Sequence, residues 1–464
     1  MTMNDDIVSA DYFSDTIAGI SSPPGRGAIG TVRISGPLAA ALLEKFCVSL
    51  KGESVPFRAN PRRLFHCQIV STSGDRIDEG MAVFFPGPGS YTGEDLAEIN
   101  LHGNPLLLRK FSNILTDEKS VRPPAPGEFT RRAFLNGKMD LTQAEAVRRI
   151  IDARSEFELA AGKKMLEGGV KKLVDSFRSD LLGLKAETEA EVDFSTEDLT
   201  FESREKRIEK VNTLILKVDG ILEKNSVVSR LSAGCQIALS GIPNAGKSSL
   251  LNQILGWDRA IVSEKPGTTR DYLSEEIQIE GIAARIVDTA GLRETEDEIE
   301  EEGVRRSRKE IKRSQIVLHV IDGSLEQYSL PSSHPGAAEI FVINKKDILH
   351  QNRWWEKEFP VEATVLISCK SGEGLGELKK LLHEAIFQGA DSAPSILLEE
   401  RHVYHFRKIR EALEKTAYHM KAEAPDEITA IEIDRCLEHA GEITGRITGE
   451  EILGRIFSTF CVGK

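Results

Sequence analysis

One stretch limits this chain more than any other: CQIALSGIPNAGKSSL, from Cys235 to Leu250. It reads as a buried strand, a glycine loop and the first turn of a helix. Within it, GIPNAGKS matches G-x-x-x-x-G-K-[ST], with Gly241, Gly246, Lys247 and Ser248 at the fixed positions. Glycines let the backbone curl until its N–H groups point inward at phosphate oxygens. The helix that follows adds the positive end of its dipole. Asn244, Ala245, Gly246, Lys247, Ser248 and Ser249 are therefore the phosphate-binding candidates. Lys247 reaches the β- and γ-phosphates, and the Ser248 hydroxyl ligates Mg²⁺.

Further motifs follow at the intervals of a small GTPase. In KPGTTRD, Thr269, with Thr268 beside it, stands where a threonine closes over Mg²⁺ and the γ-phosphate. ARIVDTAG is a hydrophobic strand ending in Asp288, a water-mediated Mg²⁺ partner. After Thr289 and Ala290 comes Gly291, whose N–H can touch the γ-phosphate. EIFVINKKD supplies N-K-x-D as Asn344, Lys345 and Asp347. A carboxylate there accepts two hydrogen bonds from guanine N1–H and its 2-amino group, a donor pair adenine lacks, so GTP is expected over ATP. Ser368, Cys369 and Lys370 form the loop expected against the base. Together these motifs define a Ras-like P-loop G domain. Ras-type enzymes orient the attacking water with a glutamine just after D-x-x-G. Here that position is Leu292, followed by the acidic run RETEDEIEEEG. Those acids make a solvated helix face, or one of them positions the water; the run itself does not single one out.

The remaining chain is organised around that unit. Its 464 residues, 40% hydrophobic and 29% charged, suit a soluble protein of about three domains. No apolar run approaches the roughly 18 residues of a membrane span, and the acidic start MTMNDDIVSADYF lacks a signal-peptide pattern. Six dispersed cysteines without a C-x-x-C pair suggest reduced thiols in the cytoplasm and no zinc site. A net charge of −13 gives no global pull toward nucleic acid. A local basic stretch remains in Arg131, Arg132, Lys138, Arg148, Arg149, Arg154, Lys163 and Lys164, either solvated helix faces or a phosphate-pairing surface.

Residues 1–125 alternate short strands and helices, an α+β domain. Its PPGRGAIG carries G-x-G-x-x-G spacing, but β-branched, strand-like sequence follows, so it reads as a turn between strands. From residue 126 the pattern turns helical. Val170, Leu173, Val174, Phe177, Leu181 and Leu184 form one apolar stripe, and Ile208, Val211, Ile215, Val218 and Leu222 a second. After FQGADSAPS, a linker, Val403, Phe406, Ile409 and Leu413 restart the stripe, and EEILGRIFSTF is a last helix. The expected architecture is multidomain α/β plus α. A G domain at 229–388 is inserted into a discontinuous helical domain at 126–228 and 389–464. Cys461, fourth from the last residue, superficially meets a prenylation motif. Gly463 and Lys464 rule that out, leaving an incidental thiol or a functional one.

Taken together, GIPNAGKS, PGTTRD, DTAGLRETEDEIE, NKKD, PPGRGAIGTVRISG, YTGEDLAEI, PGEFTRRAFLNGKMDLTQAEA and the terminal CVGK resemble the MnmE (TrmE) family of tRNA-modification GTPases over essentially the whole length. The resemblance implies an N-terminal domain with a folate-binding-like fold that mediates homodimerisation. That domain holds 5-formyl-tetrahydrofolate or a related one-carbon carrier at Arg33, Glu98, Lys138 and Lys464, with Cys461 assisting the chemistry. It implies K⁺-dependent pairing of G domains during hydrolysis, with Asn244 as potassium ligand. Ser263, Lys265 and Thr268 lie in the segment that completes the ion site, and Glu300 positions the water. A cation beside the developing phosphate charge stands where other GTPases use an arginine finger. The implied partner is a flavin- and NADH-using MnmG (GidA)-type protein, in a heterotetramer or larger complex. The implied reaction adds an aminomethyl or carboxymethylaminomethyl group at C5 of the tRNA wobble uridine. Two other functions fit the same G motifs: a GTP-dependent ribosome-assembly switch, and a folate-dependent one-carbon transferase with a regulatory G domain.

Overall fold

The computed structural model describes residues 15–193, 202–257, 274–288, 313–325, 336–349, 353–387, 396–447 and 449–464. The chain divides into two compact units. One comprises Met1–Arg148, Lys171–Glu202 and Ala422–Lys464, the other Arg149–Val170 and Ser203–Lys421.

The first unit is built on a seven-stranded sheet. Its strands are β1 (Thr16–Ile20), β2 (Ile29–Ser35), β3 (Cys47–Val48), β4 (Phe65–Val70), β5 (Arg76–Phe85), β6 (Leu96–His102) and β7 (Val121–Arg122), in the order β3-β4-β5-β6-β2-β1-β7. Only the β1–β7 pair is parallel. Alternation decides the faces. Val32 and Ile34 of β2 and Ala97 and Ile99 of β6 enter the core with Leu43, Phe46, Leu108 and Phe111 from helices α1 (Ala39–Phe46) and α2 (Pro105–Thr116). Thr31, Arg33, Glu98 and Asn100 then fall on the other face. Strand β2 runs antiparallel to β1 directly after the glycine turn, so PPGRGAIG opens a strand as expected. Gly30 lets α2 close on that strand, because a Cβ there would lie 2.4 Å from Leu108 Cδ1.

Helices α3 (Glu128–Leu135) and α4 (Leu141–Asp152) follow. Leu141 and Ala144 pack with Leu453, Phe457 and Phe460 from the far end of the chain. Two more helices, α5 (Glu156–Leu166) and α6 (Gly169–Asp193), precede the long α7 (Arg204–Ser232). The first expected stripe is buried along α6 at Val170, Val174, Phe177, Leu181 and Leu184. Along α7 the buried seam is Val211, Leu214, Val218, Val228 and Leu231, whereas Ile208, Ile215 and Leu222 are half-buried. The shift by one residue at 214 follows from its neighbours: α7 packs along Glu400–Lys421, α5 and β10 (Ile282–Asp288), and is not a two-helix seam.

Part of the basic stretch pairs within the protein. Arg131 meets Glu450, Arg149 meets Glu399 at 2.8 Å, Arg148 donates to Thr459, and Arg132 is fully buried among carboxylates. Arg154, Lys163 and Lys164 are exposed.

The second unit carries a six-stranded sheet of β8 (Cys235–Ser240), β9 (Ser274–Ile279), β10, β11 (Ile316–Asp322), β12 (Ala338–Asn344) and β13 (Thr364–Leu366), ordered β13-β12-β11-β8-β10-β9. All neighbours are parallel except the β9–β10 hairpin. Strand β11 is buried at every position, as a parallel strand covered on both faces must be. The hairpin turns through Glu280 and Gly281, both at positive φ, and its Gly281 carbonyl accepts the Phe157 N–H at 3.0 Å near the start of α5. The FQGADSAPS linker lies outside the described residues except for its first position, Phe387. Among the described residues no helix is long and apolar enough to cross a membrane. All six cysteines are free thiols.

Candidate functional site

The glycine loop leaves buried strand β8 and enters α8 (Lys247–Leu255). Gly241, at φ +149°, lies so close to β11 that a Cβ would stand 2.2 Å from the Val320 carbonyl oxygen. Gly246, at φ +98°, caps α8, and a Cβ there would stand 2.1 Å from Asn344 Nδ2. Asn244 takes the left-handed conformation, which asparagine tolerates, with its side chain exposed. Lys247 is buried, and its ammonium donates to the carbonyls of Gly241 at 2.9 Å and Ile242 at 2.6 Å. Those neutral acceptors hold the charge at the loop. A phosphate oxygen would outcompete them through charge-assisted bonds. Ser248 and Ser249 are exposed at the first turn of α8.

The base-reading motifs converge on this loop. Asn344 ends β12 and is buried. Its Nδ2 donates to the Ala245 carbonyl at 2.9 Å, and its Oδ1 accepts the Cys369 N–H at 3.2 Å. One amide thus joins the phosphate loop, N-K-x-D and the S-C-K loop. Gln253 of α8 donates to the Cys369 carbonyl at 2.8 Å, a second tie. Burial pushes the Cys369 thiol up to about 11, so it is a neutral packing group. The exposed Asp347 carboxylate accepts from Ser368 Oγ at 2.8 Å, which lowers its pKa and keeps it ionised. Lys345 sits at φ +66° with its ammonium 2.5 Å from Asp322 Oδ2. Burial pushes Asp322 up, but hydrogen bonds from Lys345 and Ser324 outweigh it and hold the carboxyl below its ordinary value. The bracing role of Asn344 is not visible from the motif alone, where it reads as a base contact.

Asp288 closes β10, and its side chain lies outside the described residues, as do Ser263, Lys265, Thr268, Thr269, Thr289, Ala290, Gly291 and Glu300.

A second constellation lies on the polar face of the first unit's sheet. Arg33 and Glu98 are register partners on β2 and β6, and the guanidinium donates to Glu98 Oε1 at 3.0 and 2.7 Å. The rings of Tyr91 and Phe129 each stand 5.5 Å from the Arg33 guanidinium carbon. Thr31 Oγ1 donates to Asn100 Oδ1 one step along the same face, at 2.7 Å. The tail docks on this sheet: Ser21 Oγ donates to the Gly463 carbonyl at 2.8 Å, and the Gly127 N–H meets the Cys461 carbonyl at 3.3 Å. Gly463, at φ +96°, allows that approach, since a Cβ would lie 2.0 Å from the Ile20 carbonyl oxygen. The Cys461 residue is exposed and Lys464 half-buried. The Lys138 ammonium donates to the Pro88 carbonyl at 2.8 Å. Arg33 and Glu98 are therefore together, with the 461–464 tail on the same sheet. Tyr91, Phe129 and Ser21 are the residues that motif reading missed, although YTGEDLAEI and PGEFTRR contain the first two.

A glycine loop feeding a helix, closed by a buried N-K-x-D asparagine and an ionised aspartate, defines a P-loop protein of the guanine-nucleotide-binding class. Residues 16–138 match the family described as GTP-binding protein TrmE N-terminus, and residues 141–461 match the MnmE helical domain. The tRNA modification GTPase MnmE of Leptospira interrogans is 44% identical over 460 residues, covering 97% of this chain and 100% of that protein. Its counterpart in Aquifex aeolicus is 37% identical over 457 residues, with the same coverage. The chain belongs to the MnmE family.

Proposed function

We propose that this protein is a GTP-hydrolysing enzyme of tRNA modification. The segment 229–388 binds and cleaves GTP, and the polar sheet face of residues 1–125 carries a reduced-folate one-carbon unit. The helical segments 126–228 and 389–464 form one domain into which the G domain is inserted, and the packing of α7 along Glu400–Lys421 supports that reading. The observation that carries the GTP assignment is the Asn344 amide, which ties Ala245 to Cys369 and sets Asp347 beside the same loop.

The chain's own groups have separable tasks. The N–H groups of the loop and the Lys247 ammonium bind phosphate charge. The ionised Asp347 accepts from the guanine edge. Ser248 and Thr269 hold Mg²⁺, which supplies charge neutralisation on the phosphates when bound. Asn244, exposed and left-handed in the loop, fits a ligand for K⁺, and Ser263, Lys265 and Thr268 complete that ion's site. Glu300 orients the attacking water, because Leu292 cannot. Arg33 and Glu98 offer a cation and a carboxylate held against each other, with two rings near the guanidinium, which suits a planar heterocycle carrying donors and acceptors. Lys464 and Cys461 lie on the tail docked to that sheet. The working form is a cytoplasmic homodimer joined through the N-terminal domain, acting with an MnmG-type flavoprotein on C5 of the wobble uridine.

Deleting the gene and profiling tRNA nucleosides by mass spectrometry tests this directly. Loss of the aminomethyl or carboxymethylaminomethyl uridine is expected, and an unchanged profile overturns the proposal. GTPase rates in K⁺ should far exceed those in Na⁺, and Asn244→Ala should abolish the difference.

A further inference from the structure

Helix α3 reaches several parts of the Arg33 constellation. Its Phe129 ring stands 5.5 Å from the Arg33 guanidinium carbon. The next residue, Thr130, meets the Tyr91 hydroxyl at 2.9 Å, and the Tyr91 ring stands at the same distance from that carbon as Phe129. Its N-cap, Gly127, meets the Cys461 carbonyl, and Asn136, just past its end, donates to the Thr92 carbonyl at 2.7 Å. Gly127 sits at φ +66°, and a Cβ there would stand 2.9 Å from the Phe457 carbonyl oxygen, so helix and tail approach closely.

What holds α3 in place is a fully buried guanidinium. Arg132 donates to Glu128 Oε1 at 2.9 Å, to Asp15 Oδ1 at 2.9 Å and to both Glu94 oxygens at 3.1 and 3.2 Å. Glu94 also accepts from Ser35 Oγ of β2 at 2.7 Å, and Arg122 of β7 bridges Asp15 and Glu128. The carboxylates come from α3, from the Tyr91 loop and from the residue before β1. Only a planar fork with several donors satisfies all of them at once; an ammonium cannot.

We propose that Arg132 is the positioning residue of the one-carbon site: it locks α3 to the Tyr91 loop and to the sheet, so that Tyr91, Arg33, Phe129 and the Cys461 tail meet in one geometry. This rests on the reduced-folate reading above. Arg132 is fully buried and acts through Phe129, Thr130 and Gly127.

The full chain is titrated calorimetrically with 5-formyl-tetrahydrofolate, and GTP hydrolysis and thermal unfolding are measured on the same samples. Arg132→Lys retains the charge but not the fork. It is expected to weaken folate binding at least tenfold while GTP hydrolysis stays within twofold, a split that general destabilisation would not produce. Thr130→Val, which leaves the ion cluster intact and cuts only the link to Tyr91, is expected to weaken folate binding about threefold, and it decides the matter if Arg132→Lys does not fold. Folate binding unchanged in folded Arg132→Lys and Thr130→Val overturns the inference alone. No binding by the unsubstituted protein overturns the folate reading and this inference with it.

Discussion

Replacing Asn344 with alanine should weaken guanine nucleotides and hypoxanthine nucleotides by the same factor. The side chain makes two bonds inside the protein, to the Ala245 carbonyl and from the Cys369 N–H. Truncation strands one acceptor in the phosphate loop and one donor in the base loop. Each stranded group costs about 1–3 kcal/mol. Partial relaxation brings the sum to about 2–4 kcal/mol, roughly a 30- to 700-fold loss of affinity. The loss falls on the geometry of the pocket, so a nucleotide lacking the 2-amino group suffers equally. Calorimetric titration with GDP and IDP measures both. Asp347→Ala is the contrasting variant, because its carboxylate is the group proposed to read the 2-amino edge; there the GDP preference itself should collapse. If Asn344→Ala abolishes the preference for GDP over IDP as Asp347→Ala does, Asn344 reads the base and the bracing argument fails.

Other expectations follow from single contacts. Gly246→Ala places a Cβ 2.1 Å from Asn344 Nδ2 at φ +98°, so it should reproduce much of the Asn344→Ala loss in GDP titrations. Gly463→Ala sets a Cβ 2.0 Å from the Ile20 carbonyl in a left-handed conformation that costs about 1–2 kcal/mol in itself. The tail should undock, seen as faster exchange of the Gly127 amide that donates to the Cys461 carbonyl, whereas wild-type exchange rates would refute it. Glu128 gives a pH signature. Burial would raise its carboxyl, but hydrogen bonds from Arg122, the Ala125 N–H and Arg132 hold it down at about 2. A depressed folded pKa contributes stability that is complete above the unfolded value of about 4.5 and disappears as pH falls toward 2. Urea unfolding between pH 6 and 3 should show that loss, diminished in Glu128→Gln.

Much of this was legible in the chain because glycine spacing and hydrophobic period are local signals. The strand before Gly241, the helix after it and the stripe on α6 needed nothing beyond neighbouring residues. Asn344 as a brace was not legible, since its partners lie 99 and 25 residues away and a motif carries no pairing information. The pairing of two members of the basic run was not legible for a related reason. Arg131 and Arg132 look solvent-facing by composition, yet their carboxylates come from Glu450 and from Asp15 and Glu94. The seam of α7 drifted because that helix serves several neighbours, whereas a period calculation assumes one.

The docked tail has a kinetic side. Ser21 and Gly463 are 442 positions apart, so their contact closes only after nearly every other residue has been made. At roughly 5–20 residues per second, synthesis of the intervening chain takes on the order of 20–90 s. The seven-stranded sheet, whose strands all precede residue 123, can form long before that. Closing so long a loop costs little more than closing one half its length. The sheet therefore waits as a finished surface, and Ser21 and Gly127 meet the tail only after the helix Glu450–Ser458 has been made and folds beside α3. A nascent chain lacking that helix would already hold its glycine loop while Ser21 and Gly127 still lacked their tail contacts.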